Sequence, residues 1–137
     1  MTNIELMRHA LSLSLKYRYT AKPNPTVGAL IYDGTSIIAE GAHEKYGSKH
    51  AEINCLDVLA QNKSRLNLSE LILYCTLEPC NHTGKTGPCT EAIIKSGIKN
   101  VVIGCVDPNP IVAGSGINKL IQSGINVSVG VIEDEIK

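Results

Sequence analysis

The chain has 137 residues, of which 43% are hydrophobic and 19% charged, and its 13 basic residues are matched by 13 acidic ones. That length fits one domain with a real core, and the composition excludes an intrinsically disordered chain. Zero net charge leaves no global field to gather nucleic acid or anionic lipid, and the densest basic cluster is only Lys16, Arg18 and Lys22.

The apolar stretches around Leu71–Cys75 and Val101–Val106 fall far short of the roughly 20 residues a membrane-spanning helix needs. Glu5, Arg8 and His9 interrupt the place where a secretory signal would carry its apolar core. The cysteines are Cys55, Cys75, Cys80, Cys89 and Cys105. An odd number without a secretory signal argues for a reducing, cytoplasmic setting, where clustered Cys and His suggest metal.

In chain order, a first helix is expected from Asn3 to Tyr17, capped by Asn3, with Ile4, Met7, Leu11 and Leu15 as its apolar stripe. Thr20–Thr26 holds two prolines around Asn24 and reads as an extended loop. Val27–Tyr32 and Ser36–Ala42 flank Asp33-Gly34, a hairpin signal. A second helix runs from about His50 to Gln61, on Ala51, Leu56, Leu59 and Ala60. Leu71–Leu77 reads as a buried strand, followed by a Gly-, Thr- and Pro-rich loop from Glu78 to Gly87. Pro88 suits the first position of a third helix that ends before Gly97. Asn100–Val106 is a strand covered on both faces, Gly116–Ser123 a short helix, and Asn126–Val131 a last strand. This order predicts an α/β domain: a three-layer α/β/α sandwich around a five-stranded mixed sheet.

Three segments carry the chemistry: His50-Ala51-Glu52, Glu78-Pro79-Cys80 and Pro88-Cys89. Two thiolates and one imidazole, from His50, Cys80 and Cys89, leave a zinc ion with an open fourth position, the mark of a catalytic site. Water in that position becomes acidic enough to supply hydroxide near neutral pH. Cys89 is expected in the first turn of a helix, which favours its thiolate. Glu52, two residues after His50 at a helix start, is the candidate proton shuttle. A His-x-Glu segment, a distant Pro-Cys pair and a non-ligating Glu are the pattern of zinc nucleobase deaminases. That pattern separates its cysteines by two residues, whereas eight lie between Cys80 and Cys89. A closed structural zinc site, with His43 or His82 as fourth ligand, is the alternative on these residues. Cys55, Cys75 and Cys105 fall in apolar segments and are expected in the core. Lys85, in a Gly-Lys-Thr loop between two ligands, suits a phosphate or ribose contact. Asp107 and Asn109 follow a strand's carboxyl end, where open α/β sheets bind ligands.

The stretch Leu77-Glu78-Pro79-Cys80-Asn81-His82-Thr83-Gly84-Lys85-Thr86-Gly87-Pro88-Cys89 resembles the deaminase domain of the riboflavin-biosynthesis enzyme diaminohydroxyphosphoribosylaminopyrimidine deaminase, in the cytidine deaminase-like superfamily. Pro23-Asn24-Pro25-Thr26-Val27-Gly28, Gly41-Ala42-His43 with Gly47, Asp107-Pro108-Asn109-Pro110 and Gly114-Ser115-Gly116 extend the resemblance in the family's order. Two residues separate Thr20 from Pro23 where one is usual, and Gly87 replaces a proline. The resemblance implies a cytidine deaminase-like fold and a pyrimidine contact by Asn24. It also brings His43 and His82 close to substrate or ligands. The implied reaction is zinc-dependent hydrolytic deamination, at C2, of 2,5-diamino-6-ribosylamino-4(3H)-pyrimidinone 5′-phosphate. Many family members continue into a reductase domain. Residues 1–137 are expected to form the deaminase domain alone, with a separate reductase acting next and a homodimer by analogy. No nucleic acid or membrane partner is expected. The rival readings are a deaminase of cytosine, guanine or tRNA adenosine, and a non-catalytic zinc protein.

Overall fold

The computed structural model describes residues 2–15, 27–42, 51–60, 70–79, 89–105 and 114–131, and for Glu52, Asn54, Ala60 and Cys89 the backbone only. Helix α1 spans Asn3–Leu15. Its cap is Thr2, one residue before the expected Asn3. The Glu5 amide donates to Thr2 Oγ1 at 3.1 Å and the Thr2 amide donates to Glu5 Oε1 at 3.2 Å. Thr followed three residues later by Glu satisfies two orphan donors at once, which Asn3 could not do. Those bonds hold the Glu5 carboxyl below its ordinary range. Asn3 is used across the fold instead, with its Oδ1 accepting the Tyr74 hydroxyl. Burial pushes the Tyr74 phenol up, with the nearby Tyr32 as the lesser cause.

The buried face of α1 also differs from the expected stripe. Leu6, Met7, Ala10 and Ser14 are buried, whereas Ile4 and Leu15 are 50% and 51% exposed. The cause is the backbone of β1. A Cβ on Gly28 would lie 1.8 Å from the Ala10 carbonyl oxygen, so the helix can dock only on a face with small residues at Ala10 and Ser14.

Strands β1 (Gly28–Tyr32) and β2 (Ile37–Ala42) form the expected hairpin, with a register shift between Ile31 and Tyr32. Asp33 closes its turn: Oδ1 accepts the Thr35 and Ser36 amides at 2.8 and 2.7 Å, and Gly34 takes φ 99°. These bonds, Ser36 first and Thr35 second, lower the Asp33 carboxyl. Helix α2 (Ala51–Ala60) leads towards β3 (Ile72–Leu77), and α3 (Cys89–Ser96) to β4 (Asn100–Cys105). Helix α4 (Ser115–Gln122) leads to β5 (Asn126–Val129). Gly97 and Gly124, at φ 89° and 88°, end α3 and α4 with the left-handed residue that such stops favour.

The sheet order is β2-β1-β3-β4-β5, with β1 antiparallel to both neighbours and β3, β4 and β5 parallel. Alternation along the strands splits the core into two layers. Ala29, Ile31, Leu73, Cys75, Val101 and Ile103 face α2, α3 and α4 through Cys55, Leu59, Ile93 and Leu120. Leu30, Tyr32, Tyr74 and Val102 face α1 through Leu6, Met7 and Ala10. Helices therefore cover both faces, as the element order predicts. Fully burying a side chain such as Leu6 or Leu120 contributes about 1.5–3 kcal/mol. Among the described residues, no buried side-chain nitrogen or oxygen lacks a hydrogen-bond partner, and no helix is long and apolar enough to cross a membrane.

Candidate active site

Strand direction decides where the candidate residues gather. β2 is antiparallel to β1 and β1 to β3, so β2, β3, β4 and β5 all run one way. Gly28 pairs with Ala42, Ala29 with Cys75, and Leu77 with Cys105. The start of β1 and the ends of β2, β3 and β4 thus share one end of the sheet. The segment holding Asn24 enters at Gly28, and that holding His43 and His50 leaves from Ala42. The segment with Cys80, His82 and Lys85 follows β3, and that with Asp107 and Asn109 follows β4. All eight of these residues lie outside the described residues. Glu52 and Cys89 are described by backbone: Glu52 is the second residue of α2 and Cys89 the first of α3. Both helices return the chain from this end of the sheet to the other, so their N-termini belong to it.

Among the described residues, no group of three His, Cys, Asp or Glu side chains forms a metal site. The donor chemistry nevertheless fits zinc. Cys55, Cys75 and Cys105 are buried in the core, as expected, and of the other two cysteines Cys89 begins α3 while Cys80 follows the last described residue after β3. His50 directly precedes α2.

Two supports of this end were not foreseen from sequence. Buried Thr76 accepts the Gly28 amide through Oγ1 at 3.1 Å, tying the start of β1 to the end of β3. Glu78, only 6% exposed, lies at the start of α4. Its Oε1 accepts the Gly114 amide at 2.9 Å, and its Oε2 accepts those of Gly116 and Ile117 at 2.9 and 3.2 Å. A carboxylate on three helix-start amides satisfies donors that the helix itself leaves open, and its charge opposes the positive end of the dipole. Gly116 permits the approach, because a Cβ there would fall 2.0 Å from the Pro79 carbonyl oxygen. The available signal was an acid directly before Pro-Cys, together with two glycines at a helix start.

The strand order thus brings the connections that carry the Cys, His and Glu candidates out of one end of an α/β sheet. The family model described as the cytidine and deoxycytidylate deaminase zinc-binding region matches residues 1–105. The chain is 48% identical to the diaminohydroxyphosphoribosylamino-pyrimidine deaminase of Buchnera aphidicola subsp. Schizaphis graminum, over 94% of this chain and 84% of that relative. It is 47% identical to the riboflavin biosynthesis protein RibD of Aquifex aeolicus, over 96% of this chain but only 35% of that protein. Among solved structures, the Thermotoga maritima diaminohydroxyphosphoribosylaminopyrimidine deaminase/5-amino-6-(5-phosphoribosylamino)uracil reductase matches with TM-score 0.88 and 45% identity, over 98% of this chain and 38% of that one. The chain belongs to the zinc-binding cytidine and deoxycytidylate deaminase family, and within it to the riboflavin-biosynthesis deaminases.

Proposed function

We propose that the chain catalyses hydrolytic deamination of 2,5-diamino-6-ribosylamino-4(3H)-pyrimidinone 5′-phosphate in riboflavin biosynthesis, in the cytoplasm. The observation that carries this reading is the convergence of the four candidate segments on one end of the sheet, in a chain 48% identical to a deaminase named for this substrate. His50, Cys80 and Cys89 would hold zinc, which when bound supplies a Lewis acid and lowers the pKa of water. Glu52 takes a proton from the attacking water and returns one to the departing nitrogen. Oxygen is thereby joined to C2, the C2–N bond breaks and ammonia leaves. Asn24 offers a donor and an acceptor to the pyrimidine edge. His43 and His82 contact ligands or substrate, Lys85 holds the phosphate, and Asp107 and Asn109 hold the ribosyl side.

Residues 1–137 form the deaminase domain in this reading. A reductase acting on the deaminated product and a second copy of the chain are its expected partners. The test is ammonia release from the phosphorylated diaminopyrimidine by the purified, zinc-loaded protein. Turnover of that compound, with cytidine a poor substrate, supports the assignment. Efficient turnover of cytidine and none of the diaminopyrimidine refutes it.

A further inference from the structure

Glu78 meets the chain on both sides of the segment 106–113. Its amide donates to the Cys105 carbonyl at 2.8 Å, and its Oε1 accepts the Gly114 amide at 2.9 Å. Those two partners are the residues that bracket the segment carrying Asp107 and Asn109. Its Oε2 meanwhile binds Gly116 and Ile117 at the start of α4. On the other side, only Pro79 separates Glu78 from Cys80. The proline ring fixes its own φ, and its carbonyl is seated against Gly116. Glu78 and Pro79 are thus both fixed against the start of α4.

From this geometry we infer that Glu78 is a positioning residue: it staples the base of the 106–113 segment to the segment that presents Cys80, so that metal ligand and substrate contacts share one frame. The inference rests on the reading of Cys80 as a zinc ligand. Its reach is wider than helix capping, because the same side chain touches α4 while its backbone extends the β3–β4 ladder.

Glu78→Gln tests it. The substitution keeps the size but turns one acceptor oxygen into a donor facing backbone donors. Zinc affinity, measured by competition with a chromogenic chelator, should weaken by about 10- to 100-fold, the range for losing a group that orients a metal ligand. At saturating zinc, KM for the phosphorylated diaminopyrimidine should rise while far-ultraviolet circular dichroism stays that of the parent. Gly114→Ala, which disfavours the φ of 85° that aims the Gly114 amide, should give a smaller loss in the same direction. It decides the matter if Glu78→Gln does not fold. Val102→Ala, in the core layer under α1, is the control: it should lower thermal stability and leave both readouts unchanged. Unchanged zinc affinity and KM in folded Glu78→Gln and Gly114→Ala proteins, with the parent binding zinc and active, would overturn this inference alone. A parent that binds no zinc would remove the site reading and the inference together.

Discussion

Asp33, in the turn between β1 and β2, and Glu78, just past β3, each use a carboxylate to accept backbone amides, but at opposite ends of the sheet. Asp33 is half-buried and bonds residues two and three places along the chain. Glu78 is buried and bonds residues 36 to 39 places away. The first fixes a local turn and needs nothing from the rest of the fold. The second exists only after β3, β4 and α4 have assembled. Charge-assisted hydrogen bonds are stronger when water is excluded, so the buried one holds distant segments in register with one another. The contrast separates an end of the sheet that shapes the chain from the end that bears the candidate site.

Substitutions at the two ends should therefore fail differently. The largest effect belongs to the candidate ligands. Cys80→Ser and Cys89→Ser proteins should lose stoichiometric zinc by metal analysis, and retained zinc in both would break the contrast outright. Next, Glu52→Gln should keep zinc and fold while kcat falls by at least about 10²- to 10⁴-fold. Full activity in that zinc-loaded protein would assign the proton to another group. Third, Lys85→Ala should weaken use of the phosphorylated substrate by roughly 10- to 150-fold, with a much smaller effect on the dephosphorylated analogue. Equal losses on both would move Lys85 from the phosphate to the ribose or ring.

The smallest effect lies at Asp33. Its carboxyl is lowered in the folded protein, so its contribution is present above the unfolded value of about 3.9 and is lost as pH falls through the folded one. The Asp33 carboxyl should titrate below the ordinary range by NMR. Asp33→Asn should flatten the acid limb of stability against pH and leave kcat at neutral pH unchanged. A change in kcat there would show that the two ends of the sheet communicate.

Much of this architecture was legible as sequence. Asp33-Gly34 and the apolar runs around it marked the hairpin, and Gly97 marked the end of α3, because those signals are local. Most of what escaped was decided by contacts across the chain, and the Thr2–Glu5 capping box is the local exception. Asn3 looked like the cap until Thr2 and Glu5 closed the box, which freed Asn3 for Tyr74. The apolar stripe of α1 pointed to Ile4, Met7, Leu11 and Leu15, of which Met7 is buried while Ile4 and Leu15 are exposed. The close backbone of Gly28 selects the Ala10 and Ser14 face, a steric demand made 14 or more residues away. Glu78 was visible in the motif but silent about its partners, since Gly114 and Gly116 join it only through the β4–α4 crossover. The candidate ligands were readable because residue type and order carry metal chemistry without a fold.

The sheet's two ends also differ in what length changes they tolerate. At the end bearing Asp33, the hairpin, Gly97 and Gly124 make short turns into β2, β4 and β5. An insertion there would shift strand register. At the other end the connections run from a strand to a helix, as between Leu77 and Cys89. Their closure cost grows by only about 0.6 kcal/mol for each doubling of length, so spacing two cysteines by eight residues in place of two costs about 1 kcal/mol. New substrates can be accommodated by recutting those connections, with the strand pairing left alone.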